Sequence, residues 1–331
     1  MLTAGNIVTT ATILYRSHLK SYLKISLISS LWLLVPILFG LLGSIFVIGF
    51  SDTFNSTSVL IFFLIATPTW LLLLVYCWAK AWLNSALISR LGFCELMNQP
   101  ETPKAARKKI ASQLWMFFLA GVLLGLVLVS VYIAFTLVFV IFLIAILTGI
   151  AVVFAGIFQG GSFPEDPTFI GILTVLGVLL YIVAIFIFLG GVLWFYARLF
   201  LLEVPIAVHG NTNALKALGV SWKLTQKNIR FVIRIISIAA LVNLPLWTIV
   251  QGISALIQPL LTAWITSDYN LLFVFSYLIS SIVGVVGNIV LLPFWQALKA
   301  VTYYDLRRRK EGLGLQLREV TADNTPSVDY F

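Results

Sequence analysis

The sequence predicts an all-α, polytopic helical membrane protein: six transmembrane spans arranged as three hairpins, with interfacial amphipathic helices and both termini on the cytoplasmic side. Three observations lead there. The 331 residues are 61% hydrophobic and only 10% charged, against roughly 45–50% and about 25% in soluble domains, and the mean hydropathy is +1.06. Uninterrupted apolar stretches such as Leu31 to Phe50 and Leu114 to Phe158 exceed the ~20 residues that cross a bilayer core. Lysines and arginines gather in alternate connections. Composition excludes a water-soluble globule, and the absence of ~10-residue strands alternating apolar and polar residues excludes an outer-membrane barrel.

Hydropathy divides the chain into spans at about 23–49, 57–83, 112–158, 168–202, 229–265 and 271–303,. Ahead of the first, Gly5 to Tyr22 forms an amphipathic segment whose start is marked by the N-cap oxygen of Thr3, and Arg16, Lys20 and Lys24 lead into the membrane. Pro36, Gly40 and Ser44 within that span suit close helix approach. The second span closes at Trp78-Ala79-Lys80. Lys80, Arg90, Lys104, Arg107, Lys108 and Lys109 follow, and Thr102 before Pro103 opens a second amphipathic segment, Pro103 to Leu114,.

The third block is over-long, since the 45 residues from Leu114 to Phe158 would make a helix about 68 Å long against a ~30 Å hydrocarbon core. Charge parity demands an odd number of crossings. One crossing is expected, followed either by a broken or re-entrant segment near Gly149 or by a helix that continues past the outer surface. Gly121 and Gly125 mark tight packing in this block. The fourth span closes at Tyr196-Ala197-Arg198. A third amphipathic segment, Asn213 to Gln226, starts at an N-cap among Asn211 to Asn213, and Lys216, Lys223, Lys227, Arg230 and Arg234 surround it. Pro245 and Pro293 predict kinks in spans five and six. The sixth closes at Gln296-Ala297-Leu298-Lys299, with Arg307 to Lys310 and Arg318 beyond.

The connections near 50–58, 159–168 and 262–271 hold Asp52, Glu165, Asp166 and Asp268 but no lysine or arginine. By the positive-inside rule all basic connections are cytoplasmic. The net charge of +9 is thus an orientation signal, and no nucleic-acid partner is expected. Residues 1–308 form the membrane domain and 309–331 a short cytoplasmic tail.

A threefold internal pattern supports the hairpins. Each amphipathic segment precedes an odd-numbered span. Tyr15, followed five residues later by Lys20 and then by an apolar run to Pro36, matches Trp222, Lys227 and the run to Pro245. The segments read equally as helices lying in the interface or as the cytoplasmic halves of tilted spans.

Reactive chemistry is sparse. Gly312-Leu313-Gly314 lacks the strand–helix context of a phosphate loop. His18 and His209 have no second ligand at helical spacing, and Cys77 and Cys94 form no CxxC, so no catalytic, cofactor or metal site is expected and both thiols are expected reduced. Lys80, Glu203, Arg230, Arg234 and Lys299 fall near the inner boundary, where long side chains reach water. Asn243, Trp247, Gln251, Ser254 and Gln258 follow helical spacing on span five, and Ser276, Ser280, Gly284 and Asn288 on span six. Asn243, Gln251, Ser254, Gln258 and Asn288 read either as the lining of a polar cavity between these spans or as interhelical packing. Arg307, Arg308, Arg309 and Lys310 read either as an anionic-lipid contact or as an orientation anchor.

The segment Tyr303-Tyr304-Asp305-Leu306-Arg307-Arg308-Arg309-Lys310-Glu311-Gly312 resembles the ending of the glycerophosphoryl diester phosphodiesterase membrane-domain family and related uncharacterised six-helix proteins. Ala217 to Trp222 followed by Lys227 resembles that family's A-x-x-x-S-W segment, and the start Leu14 to Leu19 and Asn98-Gln99-Pro100-Glu101-Thr102 look similar to cyanobacterial members. The resemblance implies the six-helix fold and a bacterial inner or thylakoid membrane. Some relatives carry a fused phosphodiesterase domain, but only about twenty residues follow Arg309 here, so no enzyme activity is carried over. The expected function is a non-enzymatic accessory or scaffold for a membrane complex or for lipid organisation. The alternative is a passive or gated transporter of a small polar or lipid-like molecule. Membrane lipids and a membrane protein complex or homo-oligomer are the expected partners, with no cofactor.

Overall fold

A computed structural model of the chain describes residues 2–49, 56–159, 167–210, 212–264 and 269–311. Among these the secondary structure is helical: α1 (Ala4–Ser17), α2 (Leu19–Gly49), α3 (Ser56–Leu96), α4 (Pro103–Ile110) with a 3-10 turn at Ala111–Gln113, α5 (Leu114–Gln159), α6 (Pro167–Leu199), α7 (Glu203–His209), α8 (Ala214–Thr225), α9 (Ile229–Trp264) and α10 (Tyr269–Glu311). Six of them, α2, α3, α5, α6, α9 and α10, are long and apolar enough to cross a membrane. A short helix precedes each of α2, α5 and α9, where the amphipathic segments were expected. Asp52, Glu165, Asp166 and Asp268 of the three acidic connections and the tail beyond Glu311 lie outside the described residues, as does the expected N-cap Asn211.

The short helices start as their sequences dictate. Thr3 Oγ1 accepts the amide of Asn6 at 3.2 Å, and Thr102 Oγ1 accepts that of Ala105 at 3.3 Å, each filling an acceptor role the helix cannot supply for its first amides. Asn213 stands at the N-cap of α8 but makes no side-chain cap bond. At the end of α3, Asn98 takes a left-handed φ of 56°, and the amide of Gln99 turns back to the carbonyl of Cys94 at 2.9 Å. Gly210, at φ 68°, ends α7 in the same way. There the lack of a Cβ removes the steric cost of the left-handed region.

The chain divides into two compact units, one comprising Met1–Gly121 with Phe200–Phe331 and the other Val122–Leu199. In the first, α10 packs against α1, α2, α3 and α9, and α2 packs against α3. Small residues permit the approach. A Cβ on Gly92 would lie 3.3 Å from that of Ala300, on Gly121 2.9 Å from the Trp82 ring, and on Gly287 2.8 Å from Val250. Gly125, paired with Gly121 in the sequence reading, faces open space. In the second unit α5 and α6 meet through Tyr132–Phe188, Phe135–Phe188 and Phe139–Tyr181 ring contacts, with Gly191 beneath Phe135.

Three boundaries depart from expectation. α5 is one continuous helix through Gly149, so the expected break there does not occur. α3 runs thirteen residues beyond the expected end at 83, because Ala86, Leu87 and Ile88 are fully buried in protein. That burial sustains the helix after the apolar run has ended. α10 likewise passes position 308 and ends at Glu311, which puts Arg309 and Lys310 on the helix rather than in a tail.

Candidate functional site

Of the five polar residues read either as a cavity lining or as interhelical packing, three have their hydrogen bonds described. Asn243 is buried and donates its Nδ2 to the carbonyl of Ala239 at 2.8 Å, one turn back on its own helix. Ser254 donates to Val250 at 3.1 Å in the same manner. Gln251 is exposed. Asn288 turns away from α9 altogether, donating its Nδ2 to Ser30 Oγ of α2 at 3.1 Å. The side chain of Gln258 lies outside the described residues. Between α9 and α10, which pack against each other, Gly287 lies close against Val250.

Three cavities are described, and none is lined by any of those five residues. The largest of them, about 680 Å³, lies between α2 and α3 among Phe39, Gly40, Phe46, Phe62, Phe63 and Trp70. It is apolar, and its one notable hydrogen bond runs from Trp70 Nε1 to the carbonyl of Pro36 at 2.9 Å. A second, about 210 Å³, sits between α5 and α6 around Phe135, Phe139 and Phe188. The third, about 280 Å³, is bounded by Ser21, Lys24, Ile25 and Ile28 of α2 and by Pro103, Lys104 and Arg107 of α4.

The densest polar chemistry is where α3, α7 and α10 meet. Ser89 donates to Gln296 Oε1. Gln296 Nε2 donates to Ser85 Oγ at 2.5 Å and to Glu203 Oε1 at 3.0 Å, and Lys299 Nζ pairs with the same carboxylate oxygen. Glu203 is 4% exposed, so the pair is held away from water rather than reaching it, contrary to the expectation for both residues. The cause is α7, a short helix whose residues Glu203 to Ala207 are all buried and which delivers the carboxylate sideways into the bundle. Sequence reading missed this junction because its partners are 96 residues apart. No local spacing announces them.

A second polar junction ties the start of α4 to α3 and α7. Arg90 donates from Nε and Nη2 to the two oxygens of Glu101 at 3.0 and 3.1 Å, and from Nη1 to the carbonyl of Ala207 at 2.6 Å. Lys109 Nζ joins Glu101 at 2.5 Å. The Arg90 hydrogen bond, helped by Lys109, holds the Glu101 carboxyl down at about 2 although burial opposes it,. Asn98, Glu101 and Thr102 therefore have architectural duties: a left-handed helix end, an ion pair and a cap.

The basic cluster at the end of α10 is largely engaged within the protein. Arg309 Nε pairs with Asp305 at 2.6 Å, its Nη2 donates to the Leu2 carbonyl at 2.7 Å, and its guanidinium lies 4.2 Å over the Phe231 ring. The Leu2 amide reaches Asp305 Oδ1 at 3.5 Å. Lys310 Nζ donates to the carbonyl of Lys223, in the last turn of α8, at 3.1 Å. Arg307 Nη1 approaches His209 Nε2 at 3.4 Å, which in turn is 3.2 Å from the hydroxyl of Tyr303. Arg308 is exposed. Three of the four cations read as a lipid contact or an orientation anchor thus have protein partners. No protein-family model matches the chain, and no curated protein and no solved structure matches it.

Proposed function

We propose that this chain is a non-enzymatic accessory or scaffold protein of a bacterial inner or thylakoid membrane, crossing it six times as three hairpins with both termini cytoplasmic. The carrying observation is the Glu203–Lys299–Gln296–Ser85–Ser89 junction. Its charges and amides are matched to one another across three helices, which is the arrangement of a structural clamp rather than of groups held open for a substrate. Asn243, Ser254 and Asn288 likewise spend their hydrogen bonds within the bundle. The likeness of its ending to the glycerophosphoryl diester phosphodiesterase membrane-domain family is part of this reading. So is partnership with a membrane protein complex or a second copy.

Gentle extraction followed by native mass spectrometry tests the proposal. A stoichiometric protein partner or homo-oligomer is the expected result, and a lone chain retaining one defined small polar molecule would overturn it in favour of the transporter. Orientation is tested in a variant with Cys77 and Cys94 replaced by alanine and Asp166→Cys introduced. Labelling of that thiol from the non-cytoplasmic side is expected, and labelling from the cytoplasm alone would reverse the assignment.

A further inference from the structure

The cavity between α2 and α4 differs from the rest of the basic surface in what surrounds it. Ser21, Lys24, Ile25 and Ile28 are spaced to share one face of α2, and Pro103, Lys104 and Arg107 close it from the first turns of α4,. Three cations border a volume of about 280 Å³ with no carboxylate in its wall. The nearest acid in sequence, Glu101, is already shared by Arg90 and Lys109. Among the described residues none of Lys24, Lys104 and Arg107 has an ion-pair partner, and the Nε of Arg107 is buried with no hydrogen-bond partner.

A buried guanidinium nitrogen without an acceptor is costly unless something supplies one. Three unpaired cations around one hollow repel each other unless an anion sits among them. The cavity also opens onto the N-terminal end of α4, whose amide dipoles favour negative charge. Ile25 and Ile28 extend the wall along α2 in the direction of its membrane-crossing stretch. An anion with an apolar body attached fits both halves.

We propose that this cavity binds the phosphate of an anionic membrane lipid, with Lys24, Lys104 and Arg107 as its cationic ligands, Ser21 as a hydroxyl donor and Ile25 and Ile28 against the first acyl carbons. The site is independent of the accessory reading and stands or falls on its own measurement.

The measurement is native mass spectrometry of the full chain in detergent micelles, titrated with phosphatidylglycerol or phosphatidylcholine. Wild type is expected to bind phosphatidylglycerol at least tenfold more tightly. Arg107→Gln is expected to weaken that binding about fivefold, the share of one cation near an anionic surface. Lys24→Gln, Lys104→Gln and Arg107→Gln together are expected to erase the preference, while Arg107→Lys retains most of it and Arg308→Gln, on the exposed end of α10, retains all of it. If the triple variant fails to fold, as judged by thermal melting, the pair Arg107→Gln and Arg107→Lys decides. Equal loss in those two, or a preference that survives the triple substitution, would overturn the site. Millimolar inorganic phosphate is the competing arm: failure to displace the lipid supports a lipid occupant, and displacement would assign the cavity to free phosphate instead.

Discussion

At the scale of single residues, the buried carboxylates Glu203 and Asp305 are both paired inside the protein. Glu203 illustrates the energetics, because a carboxylate that is 4% exposed is tolerated only with its charge and lone pairs matched. Glu203→Ala strands Lys299 and Gln296 and is expected to cost about 3–5 kcal/mol, read as reduced resistance to chemical unfolding in micelles. Replacing both Glu203 and Lys299 by Met is expected to recover most of that loss, since two apolar side chains need no partners. Glu101 makes a pH-dependent case. Its pKa falls from 4.5 to about 2 on folding, so its contribution is fully present above about pH 4.5 and drains away as the pH drops toward 2. Glu101→Gln is expected to flatten melting temperature against pH within that window. Thr102 was readable from sequence because a cap acts over three residues, whereas the left-handed helix end at Asn98 was not singled out. Nor was the Arg90–Glu101 pair, although only 11 residues separate its members, because a turn of the chain intervenes.

At the scale of helices, packing follows the small residues, though not always those a motif singles out. Gly121 meets the Trp82 ring while Gly125 meets nothing, and Gly287 rather than Gly284 lets α10 approach Val250 of α9. Glycine to alanine inside a helix ordinarily gains about 1 kcal/mol of propensity, so the sign of the change at Gly287 is informative. Gly287→Ala is expected to destabilise by about 1–3 kcal/mol through overpacking, and Val250→Ala on top of it to restore stability, both measured by reversible unfolding. The positions of all six long helices were legible, because apolar runs of this length leave little choice of state. Their ends were not. The continuation of α3 past position 83 depends on Ala86, Leu87 and Ile88 being covered by other helices, which a hydropathy profile of one segment cannot register. The partner of Asn288 was illegible for a related reason, since Asn288 shares helical spacing with span-six serines yet Ser30, to which it donates, belongs to α2.

At the scale of the whole molecule, the Leu2–Asp305–Arg309 contact joins groups 303 residues apart in the chain. Asp305→Ala is expected to lower stability by about 1.5–3 kcal/mol, as hydrogen bonds to a charged group are lost, and hydrogen exchange should rise across α1 before it rises in α3. Asn243→Leu, Gln251→Leu and Asn288→Leu combined are expected to lower stability without altering solute flux in liposomes. That outcome separates packing from a pore. α1 packs against α9 and α10, which are synthesised more than 200 residues after it. At ~5–20 residues per second a ribosome needs about 15–60 s to go from the end of α1 to the end of α10, so for that interval α1 lacks much of its native packing surface. A chain stalled before α10 therefore leaves uncovered the face of α1 that α10 shelters in the folded protein.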